Sequence, residues 1–267
     1  MPSSRLEKRD WQKDHVYLVQ YPRCGSIPSM SPWAFKLETW LRLNNIPYTN
    51  ISNEFKKFST KGQVPFIEYN GRHIPDSNFI IKELKKEFNK ECEPKVRTDY
   101  ALAQAFHSLV EDQLAWCLMY FRSRNMKIMT SDAGWGRHMN GAKKTLFNVL
   151  IPLKFRKKLV GKLQAHGIGR HSPAEVEDIT KEIFNALSVQ LASKDFFFGD
   201  TPTTFDCCAF AFLAQFIYAE VPGGPAFKKY LAEATPNLTE FVNRMKTRVW
   251  PDWEQIGTSL DFNSKPQ

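Results

Sequence analysis

Residues 201–220, TPTTFDCCAFAFLAQFIYAE, are apolar nearly all round a helix, with Phe205, Cys208, Ala209, Phe212 and Phe216 in helical register. A helix without a polar face cannot rest on a surface and has to be surrounded. The segment therefore dictates a helical layer with itself at the centre. Thr203, with Asp206 three residues on, marks its start as a capping-box-like pair, each side chain within reach of an orphan backbone N–H. Upstream, Leu102, Phe106, Leu109, Val110, Gln113 and Cys117 mark one long helix, and Val176 to Leu191 mark another.

The first third of the chain reads differently. Val16 to Tyr21 is a β-branched and aromatic run, hence a strand. A loop, RCGSIPSMS, leads to Pro32 at the first position of a helix that carries Trp33, Leu37, Trp40 and Leu41 at helical spacing, with Ser31 as its N-cap. Ile46-Pro47 ends it, and Tyr48 to Ile51 forms a second strand, completing a βαβ unit with parallel strands. Val64 to Tyr69 and Arg72 to Ile74 flank Asn70-Gly71, a strong hairpin signal. Asp76-Ser77 then opens a helix with Ile80, Leu84 and Phe88 on one face. The charged connector NKECEPKVR follows, and the expected division is a polar tail at 1–14, an α/β domain at 15–89, a linker at 90–97, an all-α domain at 98–255 and a C-terminal tail at 256–267.

A chain of 267 residues with 42% apolar content can bury a sizeable core. Its tail MPSSRLEKRDWQKDH lacks a signal peptide's apolar centre, and no run reaches the roughly 18 apolar residues that span a bilayer, so a cytoplasmic protein is expected. Five cysteines without paired spacing make neither a disulfide framework nor a zinc signature, and the six histidines show no HxxxH or HxH spacing. No metal is expected. The net charge of +9 is confined to Met126–His171, a basic insertion with ten Lys or Arg against one Asp. With the rest of the chain neutral and no recognised module present, nucleic acid is not an expected partner.

The α/β half, Val64-Pro65 before a hairpin, Asp76-Ser77 at the next helix and the GDTPTTFD run together resemble the glutathione transferase superfamily. Within it, YPRCGSIPSMSPWAFKLETWLRLNNIPY and KGQVPFIEYNGRHIPDSNFIIKEL look like the failed-axon-connections and cadmium-responsive branch, which is akin to metaxins. The resemblance runs from Val16 to about Trp253 and is weakest across Met126–His171. It implies the cytosolic glutathione transferase fold: a thioredoxin-like N-terminal domain and an all-α C-terminal domain.

The same resemblance implies a site for glutathione as co-substrate. The proline at the place of Pro65 is cis in the superfamily, which turns Val64 so that its N–H and C=O meet the cysteinyl part like an added strand. The alternative is an ordinary trans proline on an edge strand. Ser77, at a helix N-terminus, would hold the γ-glutamyl carboxylate and Asp76 the γ-glutamyl ammonium, unless both merely cap the helix. SPWAF aligns with the CPFA-type start of omega transferases, which sets Ser31 in the nucleophilic cysteine's place. A serine there cannot exchange disulfides but can donate a hydrogen bond to a thiolate, and this shifts the chemistry from redox toward conjugation. Ser29 and Tyr21 compete for that role. Cys24, seven residues before Ser31, reads as a bystander.

The function expected is conjugation of glutathione to a hydrophobic electrophile, in detoxification or stress response. The alternative is a non-catalytic interaction protein of the same fold, acting in axon development or at a membrane surface. A second copy of the chain is a further partner to be considered. In the basic insertion, Leu146, Phe147, Val149, Leu150, Ile151, Leu153 and Phe155 run into KFRKKLVGKL. Segment 143–162 is therefore either a helix on an anionic membrane surface, making the protein peripheral, or two helices broken at Pro152 whose apolar face covers the substrate cleft with the lysines outward.

Overall fold

The computed structural model describes residues 6–219 and 223–263; within these, the side chains of residues 142, 143, 151, 154 and 225 are not described. Ile151 and Lys143 of the apolar and basic run thus fall outside the described side chains, as do the outer ends of both tails.

Strands β1 (Val16–Gln20), β2 (Tyr48–Ser52), β3 (Phe66–Tyr69) and β4 (Arg72–Pro75) form one sheet in the order β2-β1-β3-β4. β1 runs parallel to β2, with Leu18 opposite Asn50, and antiparallel to β3, with Leu18 opposite Ile67. The β3–β4 turn has both Asn70 (φ 47°) and Gly71 (φ 73°) in the left-handed region, as a two-residue hairpin demands. Helix α1 (Pro32–Leu43) crosses between β1 and β2, and α2 (Ser77–Glu87) follows β4 with Ile80 and Leu84 buried.

The rest is helical: α3 (Arg97–Ser108), α4 (Ala115–Arg124), α5 (Lys127–Thr130), α6 (Gly141–His166), α7 (Pro173–Leu191), α8 (Thr204–Ile217), α9 (Gly224–Glu233), α10 (Pro236–Val249) and α11 (Trp253–Ser259). Every residue of α8 from Thr204 to Phe216 is buried. Its capping box forms, with the Asp206 carboxylate accepting from Thr203 N–H at 2.7 Å and from Phe197 N–H at 2.9 Å.

Two expectations need correction. The long helix of residues 97–124 contains a π-helical turn at Leu109–Leu114 that shifts its facing. Leu102 is consequently exposed, while Ala103, Val110, Leu114, Cys117 and Leu118 fill the core. Nor does Pro152 break α6, which runs unbroken over 26 residues. Proline removes one N–H bond, and the turns on either side suffice to carry the helix through.

Helix α1 puts Leu37, Trp40 and Leu41 into the core that also holds Val16, Leu18 and Ile67 of the sheet, and packs on α8 through Phe35, whose ring lies 5.2 Å from Phe210 and 4.9 Å from Trp250. The two halves therefore share one apolar core. Two charged residues of α1 are fully buried with it. Lys36 pairs with Glu111 of the π turn, and Glu38 pairs with Arg23 at 2.6 Å. Glu38 also accepts from Gln20 (2.7 Å), Asn50 (2.8 Å) and Tyr48 (3.0 Å). Burial pushes its carboxyl upward, but Arg23 and these hydrogen bonds outweigh that and hold it at about 2.

A glutamate whose acidity is strengthened by folding stabilises the fold above its free pKa of about 4.3 and loses that contribution as pH falls toward about 2. Glu38→Gln is expected to cost roughly 3–5 kcal/mol at neutral pH, because it strands Arg23 in the core. In urea unfolding followed from neutral to acid pH, the deficit should shrink as pH falls from about 4.3 toward about 2, because the unfolded chain's Glu38 takes up its proton while the native carboxylate still resists it.

Candidate functional site

The loop between β1 and α1 is pinned along its length. Trp135 Nε1 donates to Pro22 C=O at 3.1 Å, the His138 ring bonds Arg23 C=O at 2.7 Å, and Ser26 N–H donates to Ala133 C=O at 3.1 Å. At the far end Gln215 of α8 donates to Ser29 C=O at 3.1 Å and Arg122 of α4 to Met30 C=O at 2.7 Å. The start of the basic insertion thus cradles a loop that would otherwise be free, and Ser31 is delivered to a fixed place.

A cavity of about 220 Å³ opens there. Tyr21, Ser31, Gln63 and Val64 bring polar groups to it; Trp33, Trp116, Met119, Met126, Met129 and Trp135 make apolar walls; and Phe155, Lys158, Leu159 and Lys162 of α6 close over it. Flexible methionines beside flat indoles suit apolar guests of variable shape. A larger hollow of about 690 Å³ lies along β2, and two of its three arginines, Arg23 and Arg42, are tied to Glu38 and Asp252.

Ser31 is the N-cap of α1, with Oγ accepting from Ala34 N–H at 3.4 Å. Capping uses a lone pair of the hydroxyl and leaves its proton, which has no acceptor among the described residues. One hydroxyl can therefore cap the helix and donate to a ligand at once. Tyr21 is also on the wall, its ring 4.9 Å from Trp135, and burial raises its phenol to about 12, so it stays a neutral donor. Ser29 is fully buried and off the cavity wall, its Oγ without a partner. Cys24 is buried too, its thiol pushed up to about 12 by burial against the pull of Arg122 and Arg23.

The Val64–Pro65 peptide is cis, matching the expected geometry. Val64 lies outside the β3 ladder, and neither its N–H nor its C=O has a hydrogen-bond partner among the described residues. Pro65, Asp76 and Ser77 are off the wall of the 220 Å³ cavity, next to its Gly62–Val64 side. Lys61 links the two regions, Nζ lying 3.3 Å from Asp76 Oδ2. Asp76 N-caps α2 by accepting from Asn78 N–H at 3.1 Å, and does so at φ 77°, ψ 119°, a strained conformation for a residue with a Cβ. Ser77 is nearly buried, its hydroxyl and N–H unpartnered among the described residues at the start of the helix.

Sequence reasoning missed Arg122. Its guanidinium is buried beside Met30 and lines the cavity, donating to Met30 C=O and the Gln215 side chain, while Nε has no partner. Among the described residues no carboxylate pairs with it, and burial lowers its pKa to about 10. Nothing in the local pattern of α4 marks it. Among the described residues, His107, Glu111 and Cys208 have ligand atoms within 4.8 Å of one another, but Lys36 already occupies the Glu111 carboxylate.

Comparison with known proteins agrees with this fold. Residues 32–128 match the family model for the glutathione S-transferase N-terminal domain and residues 180–245 that for the glutathione S-transferase C-terminal domain; α6 lies between the two matches. Failed axon connections of Drosophila melanogaster is 37% identical over 270 residues, covering 97% of this chain and 64% of that protein. An isoprene-epoxide–glutathione S-transferase of Rhodococcus sp. (strain AD45) is 27% identical over 246 residues, 86% of this chain and 98% of that one. Metaxin-1 of Homo sapiens is 28% identical over 210 residues, 74% of this chain and 44% of its own. The chain thus spans less than two thirds of Failed axon connections and under half of Metaxin-1. The fold matches that of a Ceriporiopsis subvermispora glutathione S-transferase solved with glutathione, with TM-score 0.60, 15% identity, and coverage of 87% of this chain and 96% of that one. With both halves matched and the closely similar relative spanning nearly the whole chain, this protein belongs to the glutathione transferase superfamily, in the branch it shares with Failed axon connections and the metaxins.

Proposed function

We propose that this chain binds glutathione and conjugates it to a hydrophobic electrophile. The observation that carries the reading is the meeting of a free serine proton and an unpaired strand-like edge, Ser31 and Val64, on the wall of one apolar cavity. Val64 pairs with the cysteinyl main chain on the Val64-cis-Pro65 edge. Ser77 and the N-terminus of α2 take the γ-glutamyl carboxylate, and Asp76 Oδ2, now facing Lys61, takes the ammonium. The thiol proton leaves to solvent, Ser31 donates to the thiolate, and the sulfur electron pair forms the bond to the electrophile's carbon as that carbon's bond to oxygen or halogen breaks; an epoxide oxygen then takes a proton from solvent, and a halide departs with its electron pair. Arg122, a buried cation without a counter-charge, favours the thiolate over the thiol. Trp33, Trp116 and the methionines receive the apolar substrate. The relative named for isoprene epoxide and glutathione supports this class of chemistry.

A second reading, a non-catalytic interaction protein in axon development or at a membrane, is favoured by relatives whose names, Failed axon connections and Metaxin-1, record no reaction. A cytoplasmic setting, supported by five free cysteines, domain limits at 15–89 and 98–255, and a homodimer through the exposed Phe79, Val96, Tyr100 and Leu102 complete the proposal.

Titration calorimetry with glutathione separates the readings: the native protein is expected to bind, and failure to bind removes the enzyme. Ser31→Ala should keep most of the affinity and lose about a hundredfold or more in turnover of an epoxide or a chlorodinitrobenzene, as loss of one donor to a developing anion does. Undiminished turnover would move the role to Tyr21. Arg122→Met should raise the pKa of the bound thiol, read from thiolate absorbance, at some loss of melting temperature because Met30 C=O and the Gln215 side chain lose their donor.

A further inference from the structure

Helix α6 has two apolar faces, and the cleft uses only one. Phe155 and Leu159 turn toward the cavity, Phe147 is buried with its ring 5.3 Å from Phe55, and Leu163 is buried. Leu146, Val149, Leu150 and Leu153 do the opposite. Spaced i, i+3, i+4 and i+7, they form a single stripe, and each is between 52% and 62% exposed. Four large aliphatic side chains left side by side in water, on a helix already folded against its neighbours, call for an occupant.

The charge around the stripe names its chemistry. Over its 26 residues α6 has seven Lys or Arg and no Asp or Glu. At 3.6 residues per turn, Lys157 continues the line of the stripe, Arg156 falls on one flank, and Lys158 lies on the other, between the stripe and the cleft. All three are exposed. A second copy of the chain would bring the same cations face to face. A nucleic acid would find its phosphates opposed by leucine rather than by polar donors. An apolar stripe bordered by cations matches the boundary of a lipid layer, where acyl chains receive the leucines and anionic headgroups the lysines.

We propose that the outer face of α6 docks in the plane of an anionic lipid surface. This is peripheral attachment, since no helix among the described residues is long and apolar enough to cross a membrane. The proposal does not rest on glutathione binding. Docking sets α6 parallel to the surface while its inner face continues to close the cavity, so that the cleft lies directly beneath the headgroups.

Flotation of the full chain with phosphatidylcholine vesicles, with and without phosphatidylserine, tests it. Native protein is expected to float only with the anionic vesicles. Leu150→Ser with Leu153→Ser keeps the charge and should reduce partitioning at least about tenfold, since two leucine side chains no longer leave water. Lys157→Ala keeps the stripe and should reduce it about fivefold. Both changes are at exposed positions, and unchanged circular dichroism and melting confirm intact folding. Native protein that stays down with anionic vesicles overturns the proposal, including the case in which it captures an acidic protein instead. So does equal flotation of the double serine variant, which would reduce the effect to non-specific attraction of a basic protein.

Discussion

Helix α1 is buried on every side, and the position of everything at the cleft follows from how that burial is arranged. Leu37, Trp40 and Leu41 join the core that also holds Val16, Leu18 and Ile67 of the sheet, and Phe35 is set into the rings of Phe210, Trp250 and Trp253. Lys36 and Glu38 are withdrawn from water altogether, which is tolerable only because Glu111 meets the one, and Arg23 with Gln20 and Asn50 of the sheet meets the other. The helix cannot slide or roll without either opening an aromatic contact or stranding a charge. Its N-terminus, with Ser31, is accordingly fixed relative to α4, α8 and the Val64 edge, the precision that orienting a thiolate requires.

The sequence made half of this arrangement legible. Trp33, Leu37, Trp40 and Leu41 announced a helix with an apolar face, and the all-apolar residues 204–217 announced the core that receives it. Nothing local announced the second face of α1, because Arg23, Glu111 and Asp252 reach their partners only through the tertiary fold. The hairpin at Asn70-Gly71 and the capping box at Thr203 and Asp206 were readable for the converse reason: each closes within a few residues. The π turn was not. It is imposed where Glu111 must meet Lys36 while Val110 and Leu114 stay in the core, and periodicity alone extends an unbroken α-helix through it.

At the candidate site the same division holds. Ser31, Val64, Pro65, Asp76 and Ser77 could be named because they sit at signals that local chemistry leaves in a sequence: a helix cap, a proline before a strand, a second cap. Arg122 could not, since an arginine in mid-helix ordinarily points to water, and only the fold shows it buried beside Met30 with no carboxylate paired to it among the described residues. Ser31 can both cap the helix and donate to a ligand because donor and acceptor are counted apart. The Ala34 N–H uses a lone pair, and the proton remains.

The basic insertion was the segment where pattern and structure differed most, and the reason is geometric. An apolar residue every third or fourth position identifies a face but does not say whether one face or two are present, and around α6 the apolar residues span both. The reading that placed an apolar face over the cleft fits Phe155 and Leu159, but Lys158 and Lys162 border the same cavity, and Leu146, Val149, Leu150 and Leu153 form a second apolar face that points out. Before α6 begins, residues 133–138 of the same insertion hold the β1–α1 loop through Ala133, Trp135 and His138. One inserted segment thus fixes the loop that carries Ser31, closes the cavity beside it and presents the chain's largest concentration of positive charge. A substitution on α6 can therefore alter the cleft's closure or the outward stripe separately, because the residues serving the two lie on different faces of the helix.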